Sequence, residues 1–368
     1  MSLKIVIFGL SITSSWGNGH ATTFRALVKA LARRGHSVTF LERDVPWYAD
    51  HRDQPDSPYA TVRFYKSLEE AKDQFAALVR DADLVILGSY VPEGIALGDW
   101  IVATASGTTA FYDIDTPVTL AGLEAGTVEY ISRALIPRFD LYLSFTGGPT
   151  LDYLERECGS PCARPLYCAV DLDLHAAAAD VQARWALGYL GTYSDDRQPK
   201  LQRLLLDPAS QLADEAFVVA GAQYPSAVSW PSNVLHIEHL PPRDHAEFYC
   251  AQRFTLNVTR ADMVARGYSP SVRLFEAAAC GVPIISDSWP GLDTFFEPGK
   301  EILIAETTED VLTILRQTSD ASRAAIGAAA QNRVQRDHGA DRRAQELEDF
   351  YREARSLRRT RKEKRAYA

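Results

Sequence analysis

Short apolar runs alternate with helix-forming stretches along the first 170 residues of this chain. Two of the intervening stretches, Thr22–Arg34 and Leu68–Arg80, are predicted helices. The apolar runs are Lys4–Gly9, Ser37–Leu41, Leu84–Leu87, Thr109–Tyr112, Leu141–Ser144 and Pro165–Tyr167. Because strands that are apolar throughout are buried on both faces, this pattern predicts a parallel sheet with helices on both sides.

The same alternation begins again after a polar connection near residues 170–180. Five further strands are predicted within the segments WALGYLGTYSDDR, FVVAGAQYP, NVLHIEHLPP, FTLNVTR and VPIISD. The sequence therefore predicts an α/β protein with two tandem, doubly wound Rossmann-like domains at 1–170 and 171–340. Residues 341–368 are predicted to form a basic helix or tail that packs back on the N-terminal domain.

Composition excludes several classes of function. A chain of 368 residues with 46% hydrophobic and 24% charged residues is typical of a globular protein. A formal net charge of -9 argues against a nucleic-acid binder. The five cysteines fit no zinc or redox spacing, so we expect reduced thiols in a cytoplasmic protein. No segment is apolar for the roughly 18 residues that a membrane helix needs, and the opening LKIVIFGL lacks a signal-peptide cleavage pattern.

The segment GYSPSVRLFEAAACGVPIISD, residues 267–287, predicts a closely packed helix followed by a buried strand. Ser269 is the predicted N-cap, and Pro270 suits the first helical position, where a missing N–H costs nothing. Gly281 is predicted to end the helix.

Two charged residues stand near the start of this otherwise apolar helix. Arg273 and Glu276 are three residues apart and are therefore expected to share a face. Free N–H groups, serine hydroxyls and an arginine form an anion site, which favours a ligand with phosphates and hydroxyls. The alternative is an Arg–Glu pair at the surface, which would contribute little.

Polar and glycine-rich segments follow successive strands of the first domain. Ligands of parallel α/β sheets bind beyond the carboxyl ends of the strands, so these segments predict the lining of a cleft. The candidate acceptor-binding residues there are Asn18, Gly19, Asp44, Ser89, Tyr90, Thr146 and Gly147.

Three residues of the first domain are candidates for chemistry. His20 follows a glycine-rich loop and is a candidate catalytic or phosphate-binding residue, although it could simply cap a helix. Asp113 and Asp115 form an Asp-x-Asp pair, whose side chains would share one face of a strand. Such a pair can hold a divalent metal under a diphosphate or can stabilise a turn. We favour a general-base or hydroxyl-binding role for one of the two over metal binding.

A nicotinamide site is a weaker interpretation of the first loop. GNGHATT places Gly17 and Gly19 as in a dinucleotide fingerprint, but Thr22 occupies the third glycine position. Glu42 could serve as the acidic residue at the end of the second strand. The long loop before Gly17 also departs from that pattern.

The string SPSVRLFEAAACGVPIISD resembles the donor-site signature of retaining, group 1 glycosyltransferases of the GT-B fold. The strings ERDVPWYADHRD, FYDIDTPVTL, LYLSFTGGPTL, LGYLGTYSDDR and NVTRADM resemble the CgeB-like branch, and together they cover nearly the whole chain. The resemblance implies two Rossmann-like domains around a cleft, with the acceptor on the N-terminal side. It also implies hexosyl transfer without a cofactor, from a nucleotide-sugar that we expect to be a UDP-sugar. Backbone N–H groups, a helix dipole and one or two arginines can stabilise the leaving diphosphate, so we expect the transfer to be metal-independent.

The resemblance also assigns roles to particular positions of the second domain. Glu276 is implied to bind the ribose hydroxyls, and Gly191 and Thr192 to let the backbone approach the phosphates. The other implied donor residues are Ser269 and Ser271 around the diphosphate, His239 and Leu240 at the base, and Arg197, Arg260 and Arg273 for the leaving group.

One position departs from the pattern of the family. Group 1 enzymes carry a second Glu eight residues before the ribose Glu, and Tyr268 stands there in this chain. This leaves open whether the sugar keeps or inverts its configuration. Three alternatives to a transferase also remain: a sugar-nucleotide 2-epimerase, a nicotinamide-dependent oxidoreductase and a non-catalytic nucleotide-sugar-binding protein.

The acceptor is not specified by these residues and could be a glycan, a small molecule or a lipid. Between Arg352 and Arg365 the chain carries eight Lys or Arg residues and two Glu. We favour a solvated helix there. The alternative is contact with an anionic membrane surface.

Overall fold

The computed structural model describes residues 2–178 and 181–366. The chain divides into two compact units. The first unit comprises Met1–Ala169 together with Ala340–Ala368, and the second unit comprises Val170–Gly339.

The first unit is built on a parallel sheet of seven strands. The strands are β1 (Lys4–Gly9), β2 (Ser37–Arg43), β3 (Thr61–Tyr65), β4 (Leu84–Gly88), β5 (Thr108–Asp113), β6 (Leu141–Ser144) and β7 (Ala163–Pro165). Their order in the sheet is β3-β2-β1-β4-β5-β6-β7. The helices that connect them are α1 (His20–Arg33), α2 (Pro46–Ala49), α3 (Leu68–Asp81), α4 (Gly94–Thr104), α5 (Thr116–Ala125) and α6 (Pro149–Arg156).

The second unit is built on a parallel sheet of six strands. The strands are β8 (Trp185–Leu190), β9 (Phe217–Ala220), β10 (Val234–Ile237), β11 (Gln252–Asn257), β12 (Ile284–Ser286) and β13 (Leu303–Ile304), in the order β10-β9-β8-β11-β12-β13. The helices are α7 (Gln198–Leu201), α8 (Asp207–Gln211), α9 (His245–Cys250), α10 (Ala261–Arg266), α11 (Val272–Ala279), α12 (Thr308–Gln317) and α13 (Asp320–Asp337).

Both sheets reverse their strand order at their first strand. β1 lies between β2 and β4, and β8 lies between β9 and β11. The predicted fold, with two doubly wound parallel sheets, is therefore confirmed. Because ligands of such sheets bind beyond the carboxyl ends of the strands at this reversal, each unit has one expected site.

The last helix, α14 (Ala340–Ala366), packs against α1 of the first unit. Arg164 pairs with Glu353 of α14, and Arg361 of α14 donates to Asp140 at 3.0 Å. Charged residues of both signs on α14 thus pair with the rest of the first unit, although the helix is basic overall. Among the described residues, no helix combines the length and the apolar character needed to cross a lipid bilayer.

Glu348 is a strong electrostatic contact between α14 and the rest of the first unit. Arg34 donates two hydrogen bonds to its carboxylate at 2.6 and 2.9 Å, and His36 Nε2 lies 2.8 Å from Oε1. The Arg34 guanidinium is the main cause that lowers the pKa of Glu348 from 4.5 to about 2.

Glu348→Gln should destabilise the protein by about 1–2 kcal/mol at neutral pH, because the ionised partner of Arg34 is lost. The folded pKa of Glu348 lies below its unfolded value, so its contribution is present above pH 4.5 and disappears as the pH falls toward 2. Urea unfolding from pH 7 to pH 2.5 would measure this. Asp349→Asn, at an exposed pair with Arg352 on the same helix, should have no effect, and a pH-independent effect of Glu348→Gln would contradict the interpretation.

Candidate active site

Two glycines shape the loop that follows β8. A Cβ at Gly191 would lie 2.6 Å from the Tyr189 hydroxyl and 2.8 Å from Nη2 of Arg273. A Cβ at Gly221 would lie 2.0 Å from the carbonyl oxygen of Gly191. The tips of β8 and β9 can therefore approach each other only without these side chains.

Gly221→Ala should destabilise the protein by about 2–3 kcal/mol, because its methyl group would overlap backbone atoms that cannot move aside easily. Urea unfolding monitored by circular dichroism would measure the change. Gly19→Ala is the matched control, since a Cβ there meets no atom within 4 Å. Equal stability of the two variants would show that the contact between the β8 and β9 tips is dispensable.

Arg273 lies behind this loop and is 7% exposed. Its Nη1 donates to Oδ1 of Asn257 at 2.9 Å, and its Nε donates to the carbonyl of Leu190. Its guanidinium stacks on the Tyr189 ring, 4.6 Å from the centroid. These contacts fix a positive charge at the ends of β8 and β11.

Two further arginines bring partly unsatisfied guanidinium groups to the same edge of the sheet. Arg197 donates from Nη2 to the carbonyl of Thr192 at 2.6 Å. Asp196 accepts from the amide of Ala261 at 2.9 Å and so connects the segment before α7 with the start of α10, where Arg260 is the N-cap. Within the described residues, the Nε atoms of both Arg197 and Arg260 are buried without a hydrogen-bond partner. A buried donor without a partner costs about 1–3 kcal/mol, so an anion that reached these atoms would bind favourably.

Helix α11 starts two residues later than predicted. Ser271, not Ser269, is its N-cap, and Val272 rather than Pro270 is its first residue. The Ser271 hydroxyl donates to Oδ1 of Asn257 at 2.8 Å and makes no capping bond to the helix. The Ser271 side chain therefore accepts no hydrogen bond from the N–H groups of the first turn of α11.

The side chains of Arg273 and Glu276 contact different residues. Glu276 is 2% exposed and accepts from the Tyr249 hydroxyl at 3.1 Å. Its two oxygens face His175 Nε2 at 3.6 Å and His245 Nδ1 at 3.4 Å. The surface-pair alternative is therefore wrong, and a ribose could reach this carboxylate only if the enclosing side chains moved.

The two residues expected to hold the base lie in the loop after β10. The carbonyl of Leu240 faces Nε2 of His245 at 3.3 Å, and His239 is half-buried. Their contact with a base stays a prediction.

Tyr268 occupies the position where the resemblance implies a carboxylate. Its backbone is left-handed, with φ of 50°, and its N–H donates to Pro290 at 2.7 Å. A Cβ at Gly291 would lie 2.4 Å from the Tyr268 ring, so the ring packs directly on that glycine. Strained backbone of this kind is concentrated at functional sites.

The site of the first unit brings together His20, Asp115 and Tyr90. Nε2 of His20 lies 3.6 Å from Oδ2 of Asp115, and Tyr90 donates to the same oxygen at 3.1 Å. The side chains of His20 and Asp115 are 18% and 16% exposed, so a ligand can reach both. Asn18 fixes the start of α1 by accepting from the His20 amide at 3.1 Å.

Asp113 does not share this position. It is fully buried, and its carboxylate accepts from Tyr142 at 2.5 Å and from Thr119 at 2.8 Å. Burial raises the pKa of Asp113 to about 6 in spite of these hydrogen bonds. The Asp113 carboxylate is enclosed and holds the turn after β5, so it is not presented to an acceptor, and a general-base or hydroxyl-binding role for Asp113 stays a prediction. Asp115 lies beyond that turn, as the N-cap of α5.

Two of the predicted acceptor residues hold loops together. The Asn18 amide donates to the carbonyls of Ser11 and Ser14 at 3.3 and 3.1 Å. The Ser89 hydroxyl accepts from the amide of Ile114 at 3.1 Å and is 1% exposed. Both side chains are buried and are not presented to an acceptor.

Three further acceptor candidates make contacts within the protein. Thr146 is fully buried, and a Cβ at Gly147 would lie 2.0 Å from the Tyr167 hydroxyl. Asp44 accepts from Nη2 of Arg52 at 2.7 Å. The sequence identified the strand ends correctly, but it did not separate loop-forming side chains from exposed ones.

Glu42, the acidic residue that a nicotinamide site would need, is engaged within the protein. Its fully buried carboxylate accepts from the amides of Ile12 and Thr13 at 2.8 and 3.1 Å, and from the Thr13 hydroxyl at 2.7 Å. It therefore shapes the loop after β1 and does not offer its oxygens to a ribose.

Comparisons with known proteins bear on both units. A family model described as "Glycosyl transferase-like" matches residues 197–349. A search of curated proteins found no significant match.

Several solved structures resemble the whole chain. Sucrose-phosphate synthase from Thermosynechococcus elongatus is 15% identical, with a TM-score of 0.67 over 95% of this chain and 98% of that one. Anabaena Alr3699/HepE in complex with UDP and glucose is 13% identical, with a TM-score of 0.68 over 94% and 98%. An α-glucosyltransferase in complex with UDP-glucose and DNA is 14% identical, with a TM-score of 0.70 over 95% and 100%. These similarities show the fold, which is the predicted GT-B fold of group 1-like glycosyltransferases.

Proposed function

We propose that the protein is a glycosyltransferase of the CgeB-like branch that moves a hexose from a UDP-sugar to an acceptor hydroxyl. The observation that carries the proposal is the pair of buried Nε atoms of Arg197 and Arg260, which have no hydrogen-bond partner among the described residues. Such a constellation suits a diphosphate. The match to a glycosyltransferase family model and the UDP or UDP-glucose bound in similar structures support this interpretation.

The reaction breaks the bond between the sugar carbon and the diphosphate oxygen and forms a bond from that carbon to the acceptor oxygen. Negative charge develops on the leaving diphosphate. Arg197, Arg260 and Arg273 supply positive charge there, and the backbone at Gly191 and Thr192 is proposed to lie against the phosphates. Preorganised donors of this kind stabilise a leaving group without a metal. We therefore propose that no divalent ion binds the diphosphate.

The acceptor hydroxyl is proposed to bind at His20 and Asp115. Its proton passes to Nε2 of His20, and the Asp115 carboxylate, 3.6 Å away, stabilises the resulting imidazolium. Tyr90 holds Asp115 in place through its hydroxyl. If the leaving phosphate takes the proton instead, as in a retaining reaction, the same pair only positions the hydroxyl.

The acceptor class is proposed from charge. One similar structure contains DNA, but a net charge of -9 disfavours a polyanionic acceptor for this chain. A glycan, a small molecule or a lipid is the proposed acceptor, and the cytoplasm is the proposed location.

Thermal melting with UDP, GDP, TDP, ADP, NAD and NADP tests the proposal. A ligand at a hundredfold excess over its dissociation constant stabilises the folded state by ~2.7 kcal/mol. We expect UDP to raise the melting temperature. A response to NAD or NADP alone would contradict the proposal. UDP-sugar turnover should also be followed without acceptor, since an epimer would indicate the 2-epimerase, and binding without any turnover would indicate a binding protein.

A further inference from the structure

The second unit encloses three side chains of metal-binding types. Among the described residues, ligand atoms of His175, His245 and Glu276 all lie within 4.8 Å of one another. His175 Nε2 is 3.6 Å from Oε1 of Glu276, and His245 Nδ1 is 3.4 Å from Oε2. Ligands at the usual zinc distances of about 2.0–2.2 Å are ~3.4 Å apart in a tetrahedral site. The two measured separations are therefore close to those that one shared ion would impose.

In each ring, the nitrogen that faces Glu276 is called the inner nitrogen and the other the outer nitrogen. The contacts of the outer nitrogens indicate where the ring hydrogens lie. His175 Nδ1 faces the carbonyl of Asp171 at 3.3 Å, and His245 Nε2 faces the carbonyl of Leu240 at 3.3 Å. A carbonyl can only accept, so each outer nitrogen carries the hydrogen and each inner nitrogen of a neutral ring presents a lone pair. Histidines that bind metals are oriented in this way by backbone carbonyls.

The inner nitrogens need a cation. His175 is 2% exposed, and among the residues that the structure describes the inner nitrogens of both rings are buried without a hydrogen-bond partner. Their lone pairs point at a carboxylate, which also offers only lone pairs. One added proton would let one inner nitrogen donate to the carboxylate and would leave the other inner nitrogen without a partner. Two added protons would place two imidazolium ions side by side in a buried site. A single divalent ion satisfies both rings and the carboxylate together.

We infer that His175, His245 and Glu276 bind a divalent transition-metal ion, and that Zn²⁺ suits this set of two imidazoles and one carboxylate best. The ion would join three segments of the second unit: the stretch before β8, the start of α9 and the middle of α11. Tyr249, which donates to Glu276 at 3.1 Å, would orient the ligating carboxylate. The assignment is structural, and it uses none of the arginines proposed for the donor.

This site replaces the ribose-binding role that the resemblance implies for Glu276. A carboxylate with both oxygens directed at a metal site cannot also accept two ribose hydroxyls. The two roles make opposite predictions for Glu276→Gln. The metal site predicts lost metal with UDP binding retained, and the ribose role predicts lost UDP binding in a protein that holds no metal.

The test uses the full chain, stripped with a strong chelator and then titrated with Zn²⁺ or Co²⁺. Wild type should bind one ion per chain, melt at a higher temperature with Zn²⁺ and give the visible absorption of four- or five-coordinate Co²⁺. His175→Ala, His245→Ala and Glu276→Gln should each weaken binding at least about a hundredfold, more than a change outside the ligand shell would. His236→Ala is the matched control, because His236 stacks on Trp230 in the same unit, away from the cluster.

Metal content of folded wild-type protein decides the question even if a variant fails to fold. Wild type that binds no Zn²⁺ at micromolar concentration would overturn the inference, as would equal binding by wild type and the three variants. The UDP-induced melting shift, measured on the same samples, reports on the proposed transferase separately. A UDP-induced melting shift in wild type that binds no metal would contradict the metal site and would still support the donor site.

Discussion

Replacing Arg260 with Ala is expected to lower kcat/KM for UDP-glucose by about a hundredfold or more, measured as UDP release with water or an added acceptor. The Nε of Arg260 is buried and has no hydrogen-bond partner among the described residues, so this donor is already desolvated and placed before any ligand arrives. Its interaction should strengthen as charge develops on the leaving diphosphate. Most of the loss is therefore expected in kcat, with a smaller loss in UDP affinity.

Arg197→Ala should behave similarly, because its Nε is also buried and unpartnered. The double variant should lose less than the sum of the single losses if both arginines contact one diphosphate. Arg203→Ala is the matched control, since Arg203 is an exposed arginine of the same unit. Unchanged turnover and UDP affinity in Arg260→Ala would remove the principal support for the proposed donor site.

The sequence was sufficient for the fold because most strands are buried on both faces. β1 is predicted and observed at Lys4–Gly9. The strands that were missed lie at sheet edges. β3, with the sequence TVRFY, alternates exposed and half-buried positions until its last residue, and β13 has only two residues, both half-buried. An edge strand covered on one side lacks the continuous apolar run that identifies a central strand.

The sequence was less informative about which polar residues face a ligand. Asp113 and Asp115 were expected to share one face of a strand, but β5 ends at Asp113 and the chain turns before Asp115. Period-two spacing holds only while the strand continues. One carboxylate is consequently enclosed, while the other is exposed beside His20.

The cluster around Glu276 could not be predicted from spacing. His175 lies in the polar connection before β8, and His245 is the first residue of α9. His245 reaches Glu276 because α9 packs against α11. The stretch that carries His175 is held beside α9, where the amide of Ala178 donates to Sγ of Cys250 at 3.4 Å. No local pattern links side chains that tertiary packing brings together from three separate segments. Conversely, Gly191 and Arg273 near the ends of β8 and β11 could be identified from the sequence, because ligand sites of doubly wound sheets recur at that place.

Replacing Asp115 with Asn is expected to lower the rate of sugar transfer by about a hundredfold to a thousandfold, while the UDP-induced melting shift stays unchanged. Asn keeps the size of the side chain but removes the charge that faces His20 Nε2 at 3.6 Å. The imidazolium formed when His20 takes the acceptor proton would then lack its counter-ion. Single-turnover kinetics with UDP-glucose would isolate this step from product release.

Two further variants separate a chemical role from a structural one. Tyr90→Phe removes only the hydrogen bond to Asp115, so its loss should be smaller, about tenfold. Asp99→Asn breaks an exposed pair with Arg138 in the same unit and should leave transfer unchanged. If Asp115→Asn raises KM for the acceptor but not the barrier to transfer, the pair only positions the hydroxyl and the leaving phosphate takes the proton. The anomeric configuration of the product, read by NMR, should then be retained, whereas a loss confined to kcat should accompany inversion.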